Sequence, residues 1–332
     1  MYIDAHFHSD DLMTYVPDIP KLLAKHKVSG TASCHSQEGF LLASTVKYKL
    51  QQYYNHDDNM DHRQSNTTPS IQQSAISAHL HTDTHDCTML AKGATTGKLH
   101  TAQNISITIS FGIHPQAVDM TLIDLITELA GKGLINAIGE CGFDFYGDRP
   151  SCLLNADNLA LQKMAFTAQL DIAKKFSLPI IIHTRKAQAL IVEFRRKLSE
   201  LPAVIFHSWN GHANEARELI RHIPKAYFSF GTSLLNGNKK TFSSAGTVPL
   251  NHILTESDAP WQPPRNEPLP GSKTMREYSS PEDVPRILAF IAYARMHRGE
   301  FTHNYWQQSP DFCTLQEITD TVLDNYHRIY KQ

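Results

Sequence analysis

Two histidines stand two residues apart at the end of the first apolar segment of the chain, in the run Asp4-Ala5-His6-Phe7-His8. Side chains alternate across a β-strand, so both imidazoles lie on one face of an extended segment. Two imidazoles on one face can bind one divalent metal ion, which can activate water for hydrolysis. Because the chain contains nineteen histidines, this pair indicates a metal site only if further ligands join it.

Candidates for the further ligands follow other short apolar segments of the chain. They are Glu140, His183, His207 and Asp258. With His6 and His8 they make four imidazoles and two carboxylates, enough to hold two divalent ions and leave positions open for water and substrate. Each residue alone is compatible with a structural role. Their common position after apolar segments favours a shared site.

The segments that must position these residues alternate between short apolar runs and longer amphipathic ones, the pattern of repeated strand-helix units. The predicted strands cover residues 2–8, 28–34, 105–111, 134–141, 178–183, 203–206, 226–230 and 251–255. The predicted helices cover residues 19–27, 36–55, 122–132, 159–176, 186–198, 215–222, 281–296 and 315–330.

Eight strands with intervening helices predict an α/β fold, a (β/α)8 TIM barrel with insertions, in which catalytic groups lie at the C-terminal ends of the strands. The length of 332 residues suits a single barrel domain over 1–332. A polar insertion at about 56–104 and a smaller one at about 298–313 interrupt the pattern. Each insertion follows a helix and precedes the next strand or helix, which places the insertion on the face opposite the catalytic mouth. We therefore expect both to affect solubility or association more than turnover.

Composition limits the class of protein and its partners. Thirty-one basic residues against 33 acidic ones leave no overall field that would draw the chain onto nucleic acid or a membrane. Five scattered cysteines favour a reducing compartment. The N-terminus has no signal-peptide pattern, and no apolar run reaches membrane-spanning length. We expect a cytoplasmic protein without membrane contact or a stable protein partner, either a monomer or a weak homo-oligomer.

Six motifs of the chain resemble the TatD-like metal-dependent deoxyribonucleases of the amidohydrolase superfamily, and the resemblance extends over most of the sequence. They are the motif at residues 4–8, Gly112-Ile113-His114-Pro115, the run 137–145 around Glu140, the run 179–187 around His183, the run 206–211 that begins Phe206-His207, and Thr255-Glu256-Ser257-Asp258-Ala259-Pro260.

The resemblance implies a binuclear metal centre and hydrolysis of DNA phosphodiester bonds. It implies that His6, His8 and Asp258 hold one ion, that His183 and His207 hold the other, and that Glu140 bridges them. The chain departs from the family pattern at Phe143, Phe145, Trp209, Asn210 and Ser257. None of these positions is a ligand, so the departures bear on substrate preference. Histidine and carboxylate ligands accept zinc, manganese, magnesium or nickel.

Phosphodiester hydrolysis assigns further roles, because it needs a nucleophile formed at neutral pH and positive charge on the developing oxyanion. We expect Asp258 to accept a proton from the attacking water, and Glu140 to be catalytic through its metal-bridging position. His114 and Arg185 are candidates for binding phosphate or the leaving group. Asp144 is expected to orient its loop by hydrogen bonds.

Three alternative functions remain open. One is an amidohydrolase acting on a small ester, lactone or amide, which an apolar pocket would favour, whereas a basic pocket would favour DNA. Another is a phosphoesterase of the histidinol-phosphatase type, which requires a third histidine where Ser9 and Asp10 stand. The last is a non-catalytic metal-binding or scaffold protein, which metal analysis and a generic phosphodiesterase assay would distinguish.

Overall fold

The computed structural model describes residues 1–60, 105–265, 267–269, 272–301 and 312–330. The chain divides into two compact units, one formed by Met1–Gln51 with Ile105–Gln332 and the other by Gln52–Asn104. The first unit contains all eight strands found in the described residues, and one helix, Gln37–Met60, begins in the first unit and ends in the second.

Eight parallel strands form one sheet in which spatial order follows chain order. The strands are β1 (Tyr2–Phe7), β2 (Val28–Cys34), β3 (Ile107–Phe111), β4 (Ala137–Asp144), β5 (Ile180–Arg185), β6 (Val204–Phe206), β7 (Ala226–Phe230) and β8 (Ile253–Thr255). Parallel neighbours require a crossover between consecutive strands, and helices provide it. The predicted barrel is therefore confirmed. All strand C-termini meet at one end, which is the end that positions the site.

The helices of the described residues cover the outside of the sheet. They are α1 (Ser9–Leu12), α2 (Ile19–His26), α3 (Gln37–Met60), α4 (Leu122–Gly131), α5 (Ala156–Phe176), α6 (Gln188–Glu193), α7 (Arg195–Ser199), α8 (Ala213–His222), α9 (Lys239–Thr247), α10 (Val284–Met296) and α11 (Phe312–Tyr330). None of them is long and apolar enough to cross a membrane.

The observed helices differ from the predicted ones at several places. The expected helix over 186–198 is two short helices, α6 and α7, separated at Phe194. The helix α9 was not predicted, because its sequence KKTFSSAGT is poor in large apolar residues. The Asn238 side chain caps its N-terminus by accepting hydrogen bonds from the backbone N–H groups of Lys240 and Thr241. The last helix begins at Phe312 rather than at 315.

The core lies on both faces of the strands. The strand β7 is buried along its whole length, and its Phe228 ring stacks on Phe206 of β6 at 5.3 Å between centroids. At the other side of the barrel Tyr326 of α11 is fully buried, and its hydroxyl is 2.8 Å from the hydroxyl of Thr108 on β3. Such burial on two faces explains why Ile180–Ile182 of β5 and the whole of β6 are apolar without alternation.

The barrel closes where β8 meets β1. The backbone N–H of Asp258 donates to the carbonyl of His6 at 3.0 Å, and that of His8 donates to Ala259 at 2.7 Å. The buried Asp4 carboxylate accepts hydrogen bonds from the Ser257 backbone at 2.8 Å and from its hydroxyl at 2.6 Å. Closure therefore sets two predicted metal-ligand segments, His6–His8 and Asp258, beside each other.

The two predicted insertions lie largely outside the described residues. This applies to 61–104 and to 302–311. The single-domain organisation and the placement of the insertions on the non-catalytic face stay predictions.

We predict that Ser257→Ala weakens the closure of the barrel. Burial raises the pKa of Asp4 to about 8, and the hydrogen bonds from Ser257 act against this rise. Losing the hydroxyl leaves a buried carboxyl short of one partner, which should lower the free energy of unfolding by about 1–3 kcal/mol. Urea denaturation measures the change. Ser257→Thr keeps the hydroxyl and should stay close to wild type; equal stability of the alanine variant would contradict the prediction.

Candidate metal centre and active site

The six predicted ligand residues come together at the C-terminal mouth of the barrel. Five of them are buried, and the His183 side chain is 11% exposed. They lie in or shortly after five strands: His6 and His8 at β1, Glu140 in β4, His183 in β5, His207 after β6 and Asp258 after β8. Their side-chain atoms form overlapping groups that could hold a metal ion, drawn from His6, His8, Glu140, His183, His207 and Asp258, with His35 and His114 added.

The first group of ligand atoms surrounds a small central space. The Nε2 atoms of His6 and His8 are 3.3 Å apart. Glu140 Oε2 lies 3.5 and 3.7 Å from these two nitrogens, and Asp258 Oδ1 lies 3.7 and 3.6 Å from them. Ligands bound tetrahedrally at about 2.0–2.2 Å are roughly 3.3–3.6 Å apart. The spacing of this group therefore fits one divalent ion.

The second group is held by hydrogen bonds among its own members. Glu140 Oε1 lies 2.6 Å from His183 Nδ1 and 2.5 Å from His207 Nε2, and the two nitrogens are 3.0 Å apart. Two imidazoles and a carboxylate are a suitable donor set for a divalent ion, but these atoms must separate by some tenths of an ångström to admit one. One oxygen of Glu140 thus faces each group.

The backbone is irregular where Glu140 leaves β4. The pairing register between β4 and β5 shifts between Ile138 and Cys141. Gly139 has a φ of 135°, and a Cβ at this position would lie 2.5 Å from the carbonyl oxygen of Ile181. Only glycine tolerates both conditions. Local irregularities of this kind redirect a side chain, and here the redirected residue is Glu140.

Neighbouring side chains hold the imidazoles in position. The Ser33 hydroxyl is 3.0 Å from His6 Nδ1. Asp144 Oδ2 accepts a hydrogen bond from His183 Nε2 at 2.8 Å, which leaves His183 Nδ1 directed at Glu140. The Gln116 amide donates to the same Asp144 oxygen at 2.8 Å. Such outer partners fix the orientation and tautomer of a histidine. Asp144 also accepts a hydrogen bond from the Tyr146 backbone N–H at 2.8 Å, which agrees with its expected role in orienting the loop.

Mutual contacts shift the acidity of the buried groups. Burial opposes ionisation of Glu140, yet the charge of His207 and the hydrogen bonds from His183 and His207 hold the pKa of Glu140 well below its usual value. Burial lowers the pKa of His8, but the hydrogen bond to Asp258 and the charge of Glu140 outweigh it and raise this pKa to about 9. The same competition raises the pKa of His207. Glu140 is therefore a carboxylate at neutral pH.

Two further histidines border the cluster with opposite tautomers. The backbone N–H of Gln116 donates to His114 Nδ1 at 3.2 Å, so the neutral His114 ring carries its proton on Nε2. Burial lowers the pKa of His114 to about 3, which keeps the ring neutral. His35 donates from Nδ1 to the carbonyl of Gly112 at 3.0 Å, so its Nε2 is an acceptor. His114 Nε2 lies 3.7 Å and His35 Nε2 3.3 Å from Glu140.

His35 is the site residue that sequence analysis missed. It directly follows β2, the same kind of position that identified the other candidates, so a usable signal was present. Its Nε2 is buried and has no hydrogen-bond partner among the described residues. Glu256, also missed, has an oxygen 3.7 Å from His207 Nδ1 and accepts a hydrogen bond from the backbone N–H of Ser208.

The cluster forms the floor of a cavity of about 530 Å³ at the barrel mouth. His114 and Arg185, the two predicted substrate-binding residues, both line it, as does Arg149. The Arg185 guanidinium lies 4.0 Å from the centre of the Tyr146 ring, a cation–π contact that holds it at the rim. Seven of the eight predicted site residues therefore line one cavity, and the eighth, His6, is fully buried with its Nε2 3.3 Å from that of His8.

The fold and this cluster define a (β/α)8 barrel with a group of side chains at its C-terminal mouth that could hold metal ions. The family described as TatD related DNase matches residues 3–331 of the chain. The chain belongs to this family, which confirms the resemblance found in the sequence.

Relatives of known name match parts of the chain. YabD of Bacillus subtilis, described as an uncharacterized metal-dependent hydrolase, is 34% identical over 170 residues, which span 48% of this chain and 63% of that protein. The 3'-5' ssDNA/RNA exonuclease TatD of Pectobacterium atrosepticum is 28% identical over 229 residues, covering 66% of this chain and 76% of that protein.

Solved structures share the fold at low sequence identity. YjjV, a TatD homolog from Escherichia coli K12, superposes with a TM-score of 0.61 at 16% identity and covers 100% of this chain and 98% of its own. A TatD family hydrolase from Entamoeba histolytica gives a TM-score of 0.65 at 12% identity, covering 99% and 97%. At these identities the likeness shows the fold alone.

We predict that Gly139→Ala displaces Glu140 from the cluster. The added Cβ meets the Ile181 carbonyl, so β4 must shift and carry the carboxylate with it. Metal content measured by elemental analysis should fall, while circular dichroism should still report a folded barrel. Gly133→Ala is the matched control: Gly133 also has a positive φ, 66°, but its Cβ would meet nothing within 4 Å. Equal metal content in the two variants would contradict this role of Gly139.

We also predict that metal binding releases protons, so that affinity rises with pH. Imidazoles bind metals in their neutral form. A raised pKa for His8, about 9, and for His207 means that these rings hold protons at neutral pH, and an arriving ion must displace them. Affinity should therefore fall as the pH is lowered from about 9 to 6.

Calorimetric titration with zinc at one pH, in two buffers of different ionisation enthalpy, measures this release. The binding heats should differ between the buffers. The exposed His222→Ala variant should behave as wild type, because His222 pairs with Glu218 on the outside of the barrel. Equal heats in both buffers would show that the ligands are already deprotonated.

Proposed function

We propose that this chain is a divalent-metal-dependent nuclease that hydrolyses DNA phosphodiester bonds at the barrel mouth, with two ions bound side by side. The observation that carries the proposal is the position of Glu140, whose two oxygens face two separate groups of imidazoles. In this proposal His6, His8 and Asp258 hold one ion, and His183 and His207 hold the other.

The donor set bears on the identity of the ions. Four imidazoles with two carboxylates suit zinc, manganese or nickel, whereas magnesium prefers an environment of oxygen ligands. When bound, such ions supply positive charge for the phosphoryl oxygens and ease deprotonation of a nucleophilic water. This chemistry meets the two requirements of phosphodiester hydrolysis, a nucleophile formed at neutral pH and positive charge on the developing oxyanion.

The side chains around the centre supply the remaining functions. Asp258 accepts the proton of the attacking water; Gln262 holds this carboxylate by donating to Oδ2 at 2.6 Å. His114 presents a neutral Nε2–H that can donate to a phosphoryl oxygen without adding charge. Arg185, fixed against Tyr146, can pair with a phosphate at the rim.

The lining of the cavity favours an anionic substrate over a small apolar ester. Arg149 and Arg185 line it together with histidines, although the whole chain has a net charge of −2. Three carboxylates also line it, of which Glu140 and Asp258 would bind the ions and Asp11 would not. Local positive charge at the mouth of a chain that is acidic overall attracts phosphates to this place alone. Relatives named as 3'-5' ssDNA/RNA exonucleases support the same substrate class. The cytoplasmic location and the monomeric or weakly associated state stay predictions.

Hydrolysis assays with defined metals test the proposal. Single- and double-stranded oligonucleotides and small esters are compared as substrates for wild type, Glu140→Ala and Asp258→Asn. Cleavage of oligonucleotides should require added metal, stop with a chelator and fall at least about a hundredfold in both variants. Glu218→Gln alters an exposed carboxylate on α8 and should leave turnover unchanged. Undiminished cleavage in both site variants, or turnover of esters alone, would overturn the proposal.

A further inference from the structure

Trp261 is a large aromatic side chain that no part of the proposed chemistry uses. It is 54% exposed, whereas Trp209 is 2% exposed, and it lines the same cavity as the metal-binding cluster. Leaving an indole in water forgoes the gain of burying it, so packing within the chain does not explain this residue. An exposed aromatic at the edge of a polar cavity is suited to contact with a ligand.

The backbone of Trp261 is tied to the proposed proton acceptor. Its N–H donates to the carbonyl of Asp258 at 2.8 Å, and its own carbonyl accepts a hydrogen bond from the Ser279 hydroxyl. The next residue, Gln262, donates from its side chain to Asp258 at 2.6 Å and to the Ser208 hydroxyl at 2.7 Å. The backbone of Trp261 is thus fixed relative to Asp258, and the indole extends from this point.

The opposite wall of the mouth carries cations. Trp261 follows β8, and Arg149 follows β4, which lies across an eight-stranded barrel from β8. On the neighbouring strand β5, the last residue, Arg185, lies 4.0 Å from the Tyr146 ring centre, and Lys186, which follows it, lies 5.0 Å from the same centre. The cavity therefore has an aromatic wall and a cationic wall, with the metal-binding cluster between them.

These two walls match the two kinds of group that flank a scissile phosphodiester. A base presents a flat aromatic face, which stacks on an indole, and the next phosphate presents charge, which pairs with guanidinium groups. We propose that Trp261 is the stacking platform for a base next to the scissile phosphate, with Arg149 and Arg185 binding the neighbouring phosphate on the other side. This inference rests on the proposed nuclease function.

The geometry defines a class of substrate. A base inside a duplex is stacked on both faces, so a base on Trp261 must be unpaired and unstacked. Single strands and frayed ends meet this condition. Every base has a π-face, and an indole has one N–H donor, so stacking here tolerates any sequence.

Substrates with and without bases test the role of Trp261. Wild type, Trp261→Ala and Trp261→Phe are compared on a single-stranded oligothymidylate and on two modified versions of it. In one version a tetrahydrofuran replaces the base on one side of the cleaved bond, and in the other version it replaces the base on the other side. For the full oligonucleotide, Trp261→Ala should lower kcat/KM about five- to a hundredfold, and Trp261→Phe should retain most of it. At one of the two positions, removing the base should abolish the difference between wild type and Trp261→Ala.

Tyr48→Ala is the control variant, because Tyr48 is an exposed aromatic on α3, 47% exposed, that does not line the cavity. Methyl p-nitrophenyl phosphate, which has no base, should be hydrolysed equally by wild type and Trp261→Ala. If Trp261→Ala loses the same factor on base-containing and base-free substrates, or loses nothing, the stacking role is wrong while the nuclease function stands.

Binding separates the two proposals if no cleavage is found. The affinity of wild type and Trp261→Ala for a hydrolysis-resistant phosphorothioate oligothymidylate is measured by fluorescence anisotropy. Weaker binding by Trp261→Ala, again dependent on the base, would support the platform even if the nuclease function fails. Equal affinities would overturn it.

Discussion

The carboxylate of Glu140 is the group on which the arrangement of the barrel mouth depends. It is 3% exposed, and a buried carboxylate is costly unless charges and hydrogen bonds compensate it. Four imidazoles from three strands supply this compensation, two at each oxygen, with ligand atoms 2.5–3.7 Å away. The same contacts bring the histidines close to one another, with Nε2 of His6 and His8 at 3.3 Å. A cluster this dense in nitrogen lone pairs is suited to hold cations.

Hydrogen bonds from neighbouring strands restrict the side-chain orientations within the cluster. Hydroxyl and carboxylate groups on neighbouring strands contact the far nitrogens, as Ser33 does for His6 and Asp144 for His183. The closure of β8 onto β1 through Ser257 holds the strand that delivers Asp258. His6 and His183 are therefore each positioned from two directions, by their own strand and by an adjacent one. Preorganisation of this kind reduces the cost of ordering ligands when ions bind.

Positive side chains lie at the rim of the cavity, and the net charge of the whole chain does not indicate them. A net charge of −2 excludes a general attraction to nucleic acid, yet the rim of the cavity carries Arg149 and Arg185 beside a centre that gains positive charge when ions bind. Attraction of a phosphate is then confined to the mouth. Trp261 on the other wall adds an apolar surface. Together these features favour a flexible polyanion with exposed bases.

The sequence by itself determined the eight strands, the family and the positions of all six candidate ligands, because strand periodicity and residue type are local properties and strand ends in a parallel barrel share one mouth. It did not indicate that Gly139 redirects Glu140, since that depends on the approach of β5. It also passed over His35 and Trp261, which enter the site from loops after β2 and β8. Tertiary structure alone decided which ring atoms face each oxygen, because hydrogen bonds across strands set the orientation of each imidazole.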